Sequence, residues 1–222
     1  MSTGFVGASI TDGDLLGGTV TGCRARLFGV QSRSISVPDA TNTVLCVSGN
    51  INVTDKHGTV ILTHGMYAVI PSYCEVEPQQ GQAVVISFPD AKGFRQFGGP
   101  LEPEGRLTYI DGCTDTLLVC PPRFGAPCLN HLHIPMATNQ SFHTHPSDRL
   151  GVILGGNGWC DTSDGSLELS PGMAWYIPAG CEHRFRTDIA CLDVIAWHPD
   201  SDFGPTDNNH PMINRTILDG HD

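Results

Sequence analysis

The chain has 222 residues, 40% of them hydrophobic and only 16% charged, with 26 Gly and 16 Pro. That length can bury one large core or two small ones, and few charges with many turn-formers favour an all-β protein over a helical one. The formal net charge is −11 with no basic run, which argues against nucleic acid or an anionic membrane as partner.

The N-terminus, MSTGFVGASITDGDLLGG, has no basic start and no apolar run of signal length. No 18-residue apolar segment occurs either, so no export signal and no membrane span are expected, and the expected location is cytoplasmic. Nine cysteines are scattered singly, without a CxxC pair. An odd, dispersed set suits a reducing compartment, where cysteines act as small buried hydrophobes, and speaks against a zinc–cysteine site.

In chain order the elements read as short strands. LCVSGN (45–50) is an apolar run ending in a turn, and GMYAVIPSYCEV (65–76) follows. Residues 89–112 are rich in Gly and Pro, and the linker is set at 96–112. Beyond it come LNHLHIP, SFHTH, RLGVIL, NGWCDT, SLELS, MAWYIP, HRFRT and CLDVIAWH. These are rich in β-branched and aromatic residues and are separated by Pro, Gly, Asn and Asp. No 12-residue window carries a clean helical period. GGNG at 155–158 reads as a hairpin turn, since no helix follows to make it a phosphate loop. From Pro199 the chain reads as an irregular arm. Its apolar anchors Phe203, Met212, Ile213, Ile217 and Leu218 are expected to pack over a barrel or a partner.

The two halves repeat. GMYAVIPSYCEV (65–76) and GMAWYIPAGCEH (172–183) share Gly, Met, Ile, Pro, Cys and Glu at an offset of 107, and the same offset carries Gly49-Asn50 onto Gly156-Asn157. That offset sets His143 against Ser36, His145 against Pro38, His183 against Val76 and Arg149 against Asn42. Three histidines are therefore absent together from the first copy, which suggests that they act as a set.

Neutral imidazole is a good ligand for divalent iron, manganese, nickel, copper and zinc. Strand alternation puts His143 and His145 on one face, about 7 Å apart along the strand. His183 follows a turn in which Pro178 and Gly180 can swing the chain back across. Three protein ligands leave positions open, the catalytic pattern rather than the structural one. The plainer alternative is three unrelated histidines.

These motifs resemble the cupin family. The His143-Thr144-His145 run, followed by an apolar strand ending in Gly, is similar to the first cupin motif. Gly172, Pro178, Gly180 and His183 match the second without a gap. The resemblance covers both halves and implies a bicupin: an all-β chain of two tandem cupin-type, jelly-roll antiparallel β-barrels. Residues 1–95 would form the barrel lacking ligands and 113–222 the metal-binding barrel with its arm. Where the family's first motif carries Glu, this chain has Arg149; Asp148 stands one residue early and needs a bulge to replace it. The resemblance then implies a three-histidine site for Fe(II), with Mn, Ni or Zn as alternatives.

Arg149 reads in two ways. It is a clamp for a carboxylate or phosphate of a small-molecule substrate, or a mouth cation paired with Asp148, Asp161 or Glu182. Leu132 and Ile134 take the inward parity in LNHLHIP, which leaves His131 and His133 on the outer face, opposite numbers of Arg24 and Arg26. Cys181 reads as scaffold because Cys74 repeats it. Cys160 could approach the metal by parity, and Trp197, His198 and His210 could line or cap the pocket. The leading expectation is an Fe(II)-dependent dioxygenase acting on a small anionic molecule. A redox-neutral isomerase or lyase, and a non-catalytic binding cupin, are the alternatives. Monomer and homodimer are both compatible.

Overall fold

The computed structural model describes residues 4–17 and 22–217. Among them the chain is all strand and loop, apart from two short 3-10 turns at Ile110–Gly112 and Ile213–Arg215. Each half pairs one large sheet with one small one. In the first half the large sheet runs Gln96–Gly98, Tyr67–Ile70, Thr41–Ser48, Gln82–Phe88, Arg26–Val30, Gly13–Asp14. Its small sheet runs Ile35–Val37, Cys74–Pro78, Asn50–Asp55, Gly58–Thr63. In the second half the large sheet runs Val6–Ser9, Met173–Ile177, Arg149–Gly156, Leu192–His198, Cys128–Ile134, Thr114–Val119, Leu107–Thr108. Its small sheet is Gly165–Leu169, Gly158–Thr162, His183–Arg186.

The central strands of the two large sheets are buried on both faces, and the reason is a third core. Along Gln82–Phe88, Ala83 and Val85 point into the first half, packing with Val44, Ala68, Cys74 and Val76. Val84, Ile86 and Phe88 point the other way and meet Leu129, Leu150, Val152, Ile195 and Trp197 of the second large sheet. Phe88 and Trp197 meet edge to face, with ring centroids 5.2 Å apart. Burying each Val, Leu or Ile is worth roughly 1.5–3 kcal/mol, so this shared layer ties the halves into one body. The inner core of the second half holds Leu132, Ile134, Val194, Trp175 and Phe185.

Sequence periodicity found most of these strands, because alternation and turn residues are local signals. Gly49 and Gly156 show the repeat at atomic detail. Their φ values are +60 and +74, and an added Cβ at either would lie 1.8 Å from a carbonyl, that of Gln80 or Cys191.

Four expectations change. Hydrogen bonding leaves each half as an open pair of sheets among the described residues, rather than a closed barrel. Residues Val6–Ser9 pair with Met173–Ile177, so the segment placed in the first barrel by the 1–95 boundary completes the second half's sheet. The 96–112 linker is itself partly strand: Gln96–Gly98 closes the first large sheet and Leu107–Thr108 joins the second. SFHTH forms no strand; it is held to His183–Arg186 by isolated bridges at Asn139↔Arg186 and His143↔His183.

The arm does fold back onto the second half. Phe124 N–H donates to the Pro205 carbonyl at 3.0 Å, Gly125 N–H donates to the Ser201 carbonyl at 3.0 Å, and Arg123 pairs with Asp207. The proposed anchors are not what holds it: Phe203, Met212, Ile213 and Ile217 are all exposed. Leu218 lies outside the described residues. Among the described residues no helix is long and apolar enough to cross a membrane.

Candidate metal centre

His143, His145 and His183 converge. Their ring centroids stand 4.6–5.1 Å apart, and one donor atom of each lies within 4.8 Å of the others. Backbone pairing brings the two motifs together. His143 and His183 exchange both N–H···O bonds at 3.0 Å, and Gly180 N–H donates to the His145 carbonyl at 2.9 Å. Gly180 sits at φ +72, a conformation that glycine adopts without a steric penalty.

The tautomers are set by carbonyls. Nδ1–H of His143 donates to Ser141 O and Nδ1–H of His183 to Cys181 O, both at 2.9 Å. In each ring Nε2 then carries the lone pair. His183 Nε2 is fully buried and has no hydrogen-bond partner. An orphaned buried nitrogen beside two more imidazoles is costly in an apolar wall and is satisfied by a cation, so the residues fit a divalent metal. Burial first, and then Arg149, pull His145 down to about 3; burial and the neighbouring His143 pull His183 down to about 4. Both rings therefore stay neutral at ordinary pH, the form that can ligate.

The site opens on a cavity of about 750 Å³. Trp175, Ile177, Phe185 and Val194 make apolar walls, while Arg149, His198, Asp115 and Asp200 bring charge and hydrogen bonds. Phe5, from the N-terminal segment, stacks behind Trp175 at 6.0 Å. Gly151 lies directly across from Trp175 in the sheet, and an added Cβ there would lie 2.8 Å from the indole.

Arg149 lines this cavity, and its recorded bonds all run from Nη1: to Ser147 O at 3.0 Å, Ser147 Oγ at 2.6 Å and Asp148 O at 3.2 Å. Among the described residues it pairs with no carboxylate. Burial lowers its affinity for protons, with Asp200 opposing. Asp161 is engaged elsewhere, by Arg184 and Arg186. Asp148 is buried, its Oδ1 accepts from Ala179 N–H at 2.9 Å, and it is not among the donors that converge with the histidines. It does not take the place of the family's glutamate.

Other sequence candidates land as follows. Cys160 is packed in the inner core and burial raises its thiol strongly. Cys181 contributes its carbonyl to His183 rather than its sulfur. His198 reaches the cavity, its Nδ1 bonded to Asp200 O at 2.7 Å and its Nε2 3.1 Å from Asn130 Oδ1. Trp197 faces the other half instead, and His210 is exposed on the arm. Asp115 and Asn130, joined at 2.7 Å, are cavity residues that the sequence did not single out. Leu132 and Ile134 do point inward, and His131 and His133 point outward, yet both histidines are buried.

The sheet register also corrects two correspondences between the halves. Gly29 opposes Val84 as His131 opposes Ile195, so the counterpart of His131 is Gly29 rather than Arg24. Where His143 bridges His183, the first half pairs Ile35 with Val76 and Val37 with Cys74. Ser36 instead lies opposite exposed Glu75.

Residues 130–190 match the family described as Cupin domain. Solved structures share the fold. One is a "Cupin 2 conserved barrel domain protein" from Leptotrichia buccalis, with 14% identity, TM-score 0.57, and 90% of each chain covered. Another is the protein Ylba from E. coli, with 14% identity, TM-score 0.63, and 93% of this chain and 94% of that chain covered. A third is a mutant form of salicylate 1,2-dioxygenase from Pseudoaminobacter salicylatoxidans, with 9% identity, TM-score 0.60, and 83% of this chain and 74% of that chain covered. No curated protein matches in sequence. Together the matched domain and the shared fold support the cupin superfamily for this chain.

Proposed function

We propose that the chain is a bicupin whose second half is a metal-dependent enzyme, an Fe(II) dioxygenase acting on a small anionic organic molecule. The observation that carries this reading is three neutral imidazoles meeting at a cavity that also holds Arg149. His143, His145 and His183 would hold the ion, with Mn, Ni or Zn as alternatives to iron. When bound, it would supply redox and Lewis-acid chemistry in the cavity.

The protein's own groups do the rest. The Arg149 guanidinium has donors left over after its Nη1 bonds, and a planar fork of this kind orients a substrate carboxylate. Trp175, Ile177 and Phe185 exclude bulk water and strengthen that ion pair. Neutral imidazoles leave the cation's charge uncompensated, which favours an anionic substrate. The dioxygenase assignment draws on the salicylate 1,2-dioxygenase fold and on the three-histidine set.

A redox-neutral isomerase or lyase is favoured by one specific feature, Asp115. Burial raises its carboxyl above the usual range although Asn130 bonds to it, which makes it a candidate for moving a proton. Oxygen uptake decides between the two. Anaerobically purified protein should contain iron and consume oxygen with some member of a panel of small carboxylates and diketones. The His143→Ala, His145→Ala variant should hold one metal equivalent fewer and consume none. Turnover without oxygen would select the redox-neutral reading, and unchanged metal content in the variant would remove both.

A further inference from the structure

We infer that the outer face of the second large sheet carries a separate site for a divalent transition-metal ion, built from His131, His133 and Asp193. It is independent of the cavity, because strand alternation points these side chains away from Leu132 and Val194, which line it.

The geometry comes from two neighbouring strands. His131 and His133 share a face of Cys128–Ile134, and Asp193 stands directly across from His133 on Leu192–His198. His131 Nε2 lies 3.0 Å from Asp193 Oδ1, and His133 Nδ1 lies 2.8 Å from the same oxygen. All three donor atoms fall within 4.8 Å of one another. Nitrogen and oxygen ligands sit about 2.0–2.2 Å from such an ion, so two at right angles are roughly 2.9 Å apart. The two observed spacings are those of adjacent ligands on one centre. Two imidazoles and one carboxylate form a donor set suited to divalent iron, cobalt, nickel and zinc. In the metal-free protein each ring donates its N–H to Asp193. Binding needs only that each proton move to the far ring nitrogen, so no net charge change is required of the protein.

Room and access are present. The imidazole side chains are 2% and 11% exposed and Asp193 is 24% exposed. A crevice of about 210 Å³ reaches His131 between Glu102, Thr116 and Tyr67. Gly155 flanks Asp193, and a Cβ there would crowd its Oδ2 at 3.1 Å. Among the described residues the first half has no such site. There Gly29 stands in the place of His131, and an added Cβ would lie 2.2 Å from the Thr11 carbonyl.

The test uses the full chain carrying His143→Ala and His145→Ala, which empties the inner centre. Zn(II) is titrated against a chromophoric chelator, and Co(II) is followed by its d–d absorption. One equivalent should bind, and Asp193→Asn should lower the Zn(II) affinity at least about tenfold. Asn keeps an acceptor for both imidazoles, so the hydrogen-bonded clamp and the fold survive, as the metal-free Tm should show. A His131→Ala variant should lose the Co(II) spectrum. No equivalent bound, or one bound equally well by the Asp193→Asn and His131→Ala variants, overturns the site and leaves a hydrogen-bonded clamp only. Either result is readable without activity and without knowing what the inner centre binds.

Discussion

The first half fills its interior where the second keeps it open. Val44 lies across from Ala68, and the edge is closed by Ile35, Val37, Cys74 and Val76. At the matching places the second half has Gly151 across from Trp175, and His143 bridged to His183. Two exchanges thus separate a plain core from a chamber. A bulky indole over a glycine sets the chamber floor, and imidazoles replace aliphatic side chains at its rim. Asn42 and Arg149 make the same point. Asn42 is buried and donates its amide to the carbonyls of Pro38, Ala40 and Ser72. Arg149, at the same register, also bonds loop carbonyls but reaches the cavity. One backbone plan therefore serves stability alone in one copy and offers a site in the other, which leaves buried polar groups there that need partners.

Making the second half resemble the first should cost most at the rim. His183→Ala should weaken the inner centre beyond the roughly 10–100-fold that loss of a ligand's outer partner costs, as read by metal content after chelation. Trp175→Ala removes the floor and should lower the unfolding free energy by about 3–5 kcal/mol in a urea titration. If the loss is near zero, the indole does not support the cavity. Arg149→Asn should raise the KM for an anionic substrate by the equivalent of about 1.5–3 kcal/mol while metal content stays constant. An unchanged KM would return Arg149 to a loop-bracing role, like Asn42.

The smallest effect concerns His198, whose first-half place is Ser87 by register. Burial and Arg149 hold its pKa near 4, against 6.5 for a free histidine. Between those values the unfolded chain binds a proton that the native ring does not. Stability falls as pH drops from about 6.5 towards 4, by at most about 1.4 kcal/mol per unit from this residue, and the loss stops below that window. His198→Ser should make the metal-free curve shallower there; an identical slope would show that the ring is not held neutral.

The strands, the repeated motif at 65–76 and 172–183 and the three converging histidines were legible because each has a local signature: alternation, turn residues and ungapped spacing. SFHTH supplied two of the three histidines that converge, though not by strand alternation. The bridge to His183 and the Gly180 N–H bond to the His145 carbonyl hold the segment as a loop, and the rings converge through that pairing rather than along a strand. Asp193 went unnoticed because its meaning depends on register with His133, which no spacing in CLDVIAWH reveals. The same limit hid Asp115 and misaligned His131 with Arg24. The offset is 107 from Leu45 to Val152 (152 − 45) but 102 from Gly29 to His131 (131 − 29) and 111 from Val84 to Ile195 (195 − 84), so connections of different length separate the strands and a fixed offset cannot follow them. The arm failed differently: its apolar residues suggested anchors, and backbone hydrogen bonds hold it instead.

The pairing of Val6–Ser9 with Met173–Ile177 has a consequence for how the molecule is made. A ribosome emits residues 6–9 long before their neighbours, so that segment must wait unpaired while the first half condenses. The second sheet cannot be finished on its outer edge until Met173–Ile177 meets residues 6–9, a closure of high contact order and therefore slow. Until then the strand Met173–Ile177 presents a free hydrogen-bonding edge, and another copy's residues 6–9 fit it as well as the chain's own. High protein concentration during refolding should favour that exchange, giving interlocked dimers from an otherwise identical set of contacts.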